Sequence, residues 1–153
     1  MDKKSYTFEE IKQKLVNYCV YQDRCHAEVE QKMKEFMLIN EAKEEILLYL
    51  IQENYLNEER FVRSYIRGKF YIKHWGRNKI RMNLKQKQIS EKLIQSCFNE
   101  IDEDDYFKTL KKMFDDHYSK SSGLKEYQRK TKTISYLIGK GYEYEIILQV
   151  LEN

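Results

Sequence analysis

Apolar residues along this chain recur at the three- and four-residue spacing of helices, and short polar caps separate them into segments. Thr7-Phe8-Glu9-Glu10 has the form of a capping box, in which a hydroxyl meets a free backbone amide and a glutamate three residues on returns the bond. Asn40-Glu41, Asn57-Glu58-Glu59, Ser90-Glu91 and Asp102-Glu103-Asp104-Asp105 are further helix starts, each setting acid at the positive end of the helix dipole. The punctuation predicts nine helices, at 8–21, 25–37, 41–53, 58–73, 77–87, 91–101, 103–119, 125–139 and 143–152. No alternating strand pattern bounded by Gly or Pro interrupts them.

The segments repeat. Lys79-Ile80-Arg81-Met82-Asn83-Leu84, then Lys87-Gln88-Ile89 and Leu93-Ile94, aligns at constant offset with Lys132-Thr133-Ile134-Ser135-Tyr136-Leu137, Lys140-Gly141-Tyr142 and Ile146-Ile147. Tyr55 to Phe61 likewise matches Ile101 to Phe107 in its order of apolar, cap, acidic and aromatic positions. The first third follows more loosely, with Met33 at the place of Leu84, Leu38 at that of Ile89, and Ile46-Leu47 at that of Leu93-Ile94 after an insertion. The expected fold is all-α: three tandem three-helix, helix-turn-helix-like repeats over 1–56, 57–101 and 102–153, forming an elongated, curved chain. Ser119-Lys120-Ser121-Ser122-Gly123, the small-polar cluster, reads as a linker between two helices of the third repeat.

Composition agrees. The 153 residues include no Pro and five Gly, so little breaks a helix, and 41% hydrophobic residues supply a core despite a 35% charged fraction. Cys19, Cys25 and Cys97 lack disulfide or zinc spacing and read as reduced thiols. Cys25-His26 is an adjacent pair whose side chains point about 100° apart on a helix, with no oxyanion turn, so no catalytic residues are assigned. His26, His74 and His117 form no metal motif, the acids from Asp102 to Asp105 lack a calcium-loop pattern, and no Gly-rich loop cradles phosphate. No metal, cofactor or small-molecule substrate is expected. Neither a secretory signal nor a run of roughly 20 apolar residues is present, which predicts a cytoplasmic monomer without a membrane partner.

Charge adds the sharpest feature. Residues 60–90 contain no Asp or Glu but carry Arg60, Arg63, Arg67, Lys69, Lys73, Arg77, Lys79, Arg81, Lys85 and Lys87. The other 18 Lys and Arg stand against all 25 Asp and Glu, so a stretch of +10 sits on a remainder of −7. Such a field attracts a polyanion to one face. Arg60, Arg63 and Arg67 share a helix face away from Phe61 and Tyr65, and Arg77, Arg81 and Lys85 form a stripe beside Ile80 and Leu84 that reads as poorly neutralised. These ten residues are the candidate binding site. Phe61, Tyr65, Phe70, Tyr71 and Trp75 interleave with them as in a single-strand stacking platform, although Phe61 and Tyr65 read as core. Gly76 reads as a turn residue, Gly68 as a place for close packing or a bend, and Arg77-Asn78 at a helix start would suit a duplex groove. The bland alternative is a solvated face balanced by acids of neighbouring units, such as Glu100 to Asp105 or Asp115-Asp116.

Three motifs carry a family resemblance. Arg24-Cys25-His26-Ala27-Glu28-Val29 is similar to an Arg-Ser-x-x-Glu-Leu opening, with Cys25 where Ser is usual. Tyr55-Leu56-Asn57-Glu58-Glu59-Arg60-Phe61 is the most specific block, and Gly76-Arg77-Asn78-Lys79-Ile80 through Leu84 and Ile89 follows a Gly-x-x-x-Ile-x-x-x-Leu pattern, with Gln88 where Gly is common. In these the chain resembles the RecX family, small regulators of the RecA recombinase. The resemblance implies a non-enzymatic protein that binds in the groove of the RecA filament on DNA and restrains ATP hydrolysis, strand exchange and filament growth in DNA repair, recombination and the SOS response. The implied partners are the RecA filament and single-stranded DNA, with the duplex as a further one. A general DNA-binding helical module acting without RecA is the alternative. Arginine serves phosphate and carboxylate alike, so the basic stretch suits either surface.

Overall fold

The computed structural model describes residues 5–152, which are helical with no strand among them. The helices are α1 (Phe8–Tyr21), α2 (His26–Met33), α3 (Asn40–Gln52), α4 (Glu58–Arg67), α5 (Arg77–Gln86), α6 (Glu91–Cys97), α7 (Glu103–Lys120), α8 (Glu126–Gly139) and α9 (Tyr144–Glu152). Beyond Arg67 the winding loosens into a π-helical segment, Gly68–Ile72, and beyond Cys97 it tightens into a 3₁₀ turn, Phe98–Glu100. A Cβ at Gly68 would meet nothing, so that glycine marks the change of winding and not a close packing. Of the Ser119–Gly123 cluster, Ser119 and Lys120 end α7 and the rest joins it to α8, whereas α2 stops at Met33, short of residue 37.

Most caps form as expected. Thr7 and Glu10 exchange a reciprocal pair of bonds, Asn57 Oδ1 accepts from Arg60 N at 3.0 Å, Ser90 Oγ from Leu93 N at 3.2 Å and Asp102 Oδ1 from Asp105 N at 3.0 Å. Asn40 differs: it is already helical, and Ile39 precedes α3 without a side-chain cap. Cys25 stands at the N-cap of α2, fully buried, with its backbone N–H held by Glu28 Oε1 at 3.1 Å. Cys25 and Glu28 thus form the capping box even with Cys at the position of Ser.

The chain divides into two compact units, one through Ser64 and one from Tyr65. The core of the first is Ile11, Leu15, Val16 and Cys19 of α1, Val29 and Met33 of α2, Ile46 and Leu50 of α3, and Leu56. Each buried Leu or Ile contributes roughly 1.5–3 kcal/mol relative to exposure. None of the three cysteines is in a disulfide, all are buried, and burial raises the Cys19 thiol above its ordinary value.

In the second unit the repeat is visible in what is buried. Ile80, Leu84, Ile89 and Ile94 are matched by Thr133, Leu137, Tyr142 and Ile147, all buried. The two halves also end their middle helices alike. After α5, Gln88 takes φ 64° while Ile89 N–H reaches Leu84 O at 3.2 Å; after α8, Gly141 takes φ 101° while Tyr142 N–H reaches Leu137 O at 3.1 Å. Both are Schellman closures, with glycine in one and glutamine in the other. Two matches move by one residue. Leu56 and Ile101 are the buried pair, Asn57 and Asp102 the caps, and Phe61 and Tyr106 the buried aromatics, so Phe61 corresponds to Tyr106 and not Phe107. In the first repeat Ile46 is the buried member of its pair, where the later repeats bury the second member.

Candidate nucleic-acid interface

Arg60 and Arg63 lie in the first unit. Arg60 Nε meets Asp23 Oδ1 at 2.8 Å while its Nη2 donates to the carbonyls of Asn54 and Tyr55, both at 3.1 Å. It ties the turn before its own helix to the end of α1, and Ser64 Oγ donates to the other Asp23 oxygen at 3.1 Å. Arg63 pairs with Glu59 one turn back.

In the second unit, acids from outside the stretch meet its arginines. Arg67 pairs with Glu100 at 2.9 Å, and Arg81 Nε with Glu91 at 2.8 Å. Arg81 also donates to Asn78 and Gln95. Lys85 shares Glu91 at 2.9 Å. The Lys85 hydrogen bond, with the Arg81 and Lys85 charges, holds Glu91 below the ordinary carboxylate range. The stripe expected to be poorly neutralised is therefore matched. Its partners lie on the following helix and in the third repeat, which helical phase within one segment does not display. Solvent screens exposed pairs of this kind, so they balance charge more than they stabilise.

Arg77 is a different case. Its side chain is only 14% exposed, with Nη1 on Glu143 at 2.9 Å, Nη2 on Glu103 at 2.7 Å and the guanidinium 3.9 Å from the Tyr106 ring centroid. Burial alone would lower its pKa, but the bond to Glu143 and the charges of Glu143 and Glu103 outweigh that and raise it. Tyr106 O–H donates to Glu143 and accepts from Arg77 N, and burial followed by the Glu143 bond pushes the phenol far up. Tyr106 also stacks on Phe70, centroids 5.5 Å apart and planes 12° from parallel, with Tyr142 beyond it at 5.3 Å.

Beside this knot the backbones of the second and third repeats touch. Gly76 N–H donates to Lys140 O and Asn78 N–H to Gly141 O, both at 2.8 Å, and Tyr142 O–H donates to His74 O at 2.8 Å. A Cβ on Gly76 would stand 2.4 Å from Gly141 C and Tyr142 N. Gly76 has φ −78°, so close approach explains this glycine, not the turn expected of it. The start of α5 is thereby tied to third-repeat backbone, with the Arg77 guanidinium engaged by Glu103 and Glu143 while Asn78 stays exposed.

The lysines are arranged otherwise. Trp75, half-buried in the loop before α5, has Lys69 Nζ 4.7 Å and Lys79 Nζ 4.4 Å from its ring, and Lys69 lies 5.3 Å from Tyr65. Neither lysine, nor exposed Lys73, has a carboxylate partner among the described residues. Lys87 is half-buried at the end of α5. Of the interleaved aromatics, Phe61 and Phe70 are buried, Tyr71 is exposed with its O–H donating to Asp105 at 2.8 Å, and Tyr65 is half-buried. The fold thus separates arginines that hold carboxylates from Lys69 and Lys79, which flank one indole. Sequence reasoning missed Asp23, Glu91, Glu143 and Tyr106. Only Tyr106 had a signal, since it takes the place of the buried Phe61 in the repeat.

Two family models match, described as the RecX second three-helix domain over residues 57–97 and the RecX third three-helix domain over 103–151. A regulatory protein RecX of Streptococcus uberis is 29% identical over 140 residues, 89% of this chain and 52% of that protein. That of Clostridium tetani is 34% identical over 118 residues, covering 74% and 53%, and that of Yersinia enterocolitica 32% over 110, covering 72% and 64%. The chain spans about half the length of the first two. The crystal structure of RecX from Lactobacillus salivarius superposes with a TM-score of 0.88 over 95% of this chain and 94% of that one, and at 21% identity it speaks for the fold. No helix among the described residues is long and apolar enough to cross a membrane.

Proposed function

This chain belongs to the RecX family, and on that premise we propose that it binds the RecA filament assembled on DNA and restrains its ATP hydrolysis, strand exchange and growth. Family membership carries the reading, supported by regulatory relatives at 29% and 34% identity. Of the ten basic residues, we assign the contact to Lys69 and Lys79 beside Trp75 and to exposed Lys73, with Lys85, Lys87, Arg67 and Arg81 as further contacts of the second unit, Arg63 as one of the first, and Arg60 and Arg77 as holders of the fold. Carboxylate-free lysines gain most from a new anion, since no existing pair has to be broken. The test is DNA-dependent ATP hydrolysis by RecA with the chain present below stoichiometry. The expected result is a fall in rate; an unchanged rate overturns the proposal.

The Lys69–Trp75–Lys79 group favours one second reading, a DNA-binding module that acts without RecA. Tight, salt-sensitive binding to bare DNA combined with unchanged RecA activity would select it.

A further inference from the structure

We infer that the first unit carries a separate site for single-stranded nucleic acid, a groove of aromatic rings and cations beside α1 and α2. It goes beyond the RecA reading and does not depend on it, because it needs only a strand.

The groove is lined by the rings of Tyr6, Tyr18, Tyr21 and Phe36, by Lys14 and Arg24, and by the pair Lys32 and Glu35. Each cation lies against a ring. Lys14 Nζ is 4.6 Å from the Tyr6 centroid, the Arg24 guanidinium is 3.6 Å from Tyr18 and 5.9 Å from Tyr21, and Lys32 Nζ is 5.6 Å from Tyr18. Arg24 Nε donates to Tyr18 O at 2.9 Å, which anchors the guanidinium and leaves its other N–H donors for a ligand.

Charge selects the ligand's sign. Residues 5–56 hold ten Asp and Glu, yet only Glu35 lines the groove, where it is taken up by Lys32 at 2.7 Å. Lys14 and Arg24 have no carboxylate partner among the described residues. In a unit that is acidic as a whole, two cations without a carboxylate partner, Lys14 and Arg24, therefore face one concavity.

The rings select the class. Tyr6, Tyr18 and Phe36 rest against the core, and Tyr6 and Phe36 meet edge to face at 5.9 Å. Tyr21, at the end of α1, is 81% exposed and supports no core. An acidic peptide would satisfy the cations but leave this open ring in water. A single strand offers phosphates to Lys14 and Arg24 and a base face to Tyr21, the pairing of charge and stacking by which strands are held without sequence preference.

The experiment is fluorescence anisotropy of a labelled oligothymidylate titrated with the chain across a salt series, without RecA. Tyr21→Ala combined with Lys14→Gln removes the open ring and one cation, both exposed, and circular dichroism checks that helicity is kept. The expected loss is roughly 10- to 100-fold in affinity, with a salt dependence shallower by about one phosphate contact. Measured in a Lys69→Glu, Lys79→Glu background, the residual binding should fall by the same factor. Affinity within about twofold of the parent in both backgrounds overturns the site. So does loss of polyglutamate binding with oligothymidylate binding intact, which would assign the groove to an acidic protein. Because RecA is absent, failure here leaves the proposed function standing, and failure of the ATPase test leaves the groove standing.

Discussion

Replacing Gly76 by Ala tests whether the contact between the second and third repeats is set by backbone. The new Cβ would lie 2.4 Å from Gly141 C and Tyr142 N and 2.5 Å from Gly141 O. These are main-chain atoms, so no rotamer change relieves the clash and the two backbone segments must part. Parting lengthens Gly76 N–Lys140 O and Asn78 N–Gly141 O and draws Tyr142 O–H from His74 O. At about 0.5–1.5 kcal/mol net for each of three hydrogen bonds, the expected destabilisation is about 3 kcal/mol. That is a large part of the ordinary 5–15 kcal/mol of a domain. Gly139→Ala is the control: it lies at the end of α8 with nothing within 4 Å of its Cβ, so it should be neutral or stabilise by up to about 1 kcal/mol. Urea unfolding followed by circular dichroism gives both values, and emission of Trp75, the one tryptophan and the neighbour of Gly76, reports the contact directly. A Gly76→Ala chain within about 0.5 kcal/mol of the parent, with unshifted emission, refutes the reasoning.

Three further outcomes are expected. Gln88→Gly relieves a left-handed conformation and should stabilise by roughly 1 kcal/mol, read as a higher unfolding midpoint; a lower one removes the strain argument. His117 stacks on Tyr136 and bonds Thr133 Oγ1 at 3.0 Å, while burial and then the charges of Lys132 and Lys120 lower its pKa. Because the folded value lies below the unfolded one, this ring's contribution is complete above about pH 6.5 and is lost as pH falls below it. His117→Gln should flatten that part of the pH–stability curve, and an unaltered curve would exclude the ring as its source. Finally, Arg77→Glu should cost about 3–5 kcal/mol by setting a third carboxylate beside Glu103 and Glu143, whereas Lys69→Glu with Lys79→Glu should keep the fold and weaken DNA binding; equal unfolding midpoints for the two would contradict the division of roles.

Local signals were legible in the sequence. Thr7, Asn57, Ser90 and Asp102 cap where their side-chain chemistry places them; six of the nine expected helices end within one residue of their places, and the fourth and sixth do so once their π-helical and 3₁₀ continuations are included. The repeat was legible in Leu84 and Leu137 but slipped by one residue at Phe61, because an aromatic follows an aromatic in Tyr106-Phe107 and the pattern alone does not say which is buried. The basic stretch was legible as charge; its reading as poorly neutralised fails, and the alternative that named Glu100 to Asp105 supplied two of its partners, Glu100 and Glu103. Glu100 is 33 residues from Arg67 and Glu143 is 66 from Arg77, and only tertiary folding brings such partners together. Gly76 was misread for the same reason, since what it makes room for is Gly141.

The knot of Arg77, Tyr106, Glu103 and Glu143 has a thermodynamic meaning. In a chain of repeats, total stability is a sum of intrinsic terms and nearest-neighbour couplings, and the balance decides whether repeats melt singly or together. Here the coupling includes a desolvated cation whose carboxylates lie in the other repeat, so opening either one strands charge in the one left folded. Two segments that separate family models match one at a time should therefore melt in a single cooperative transition.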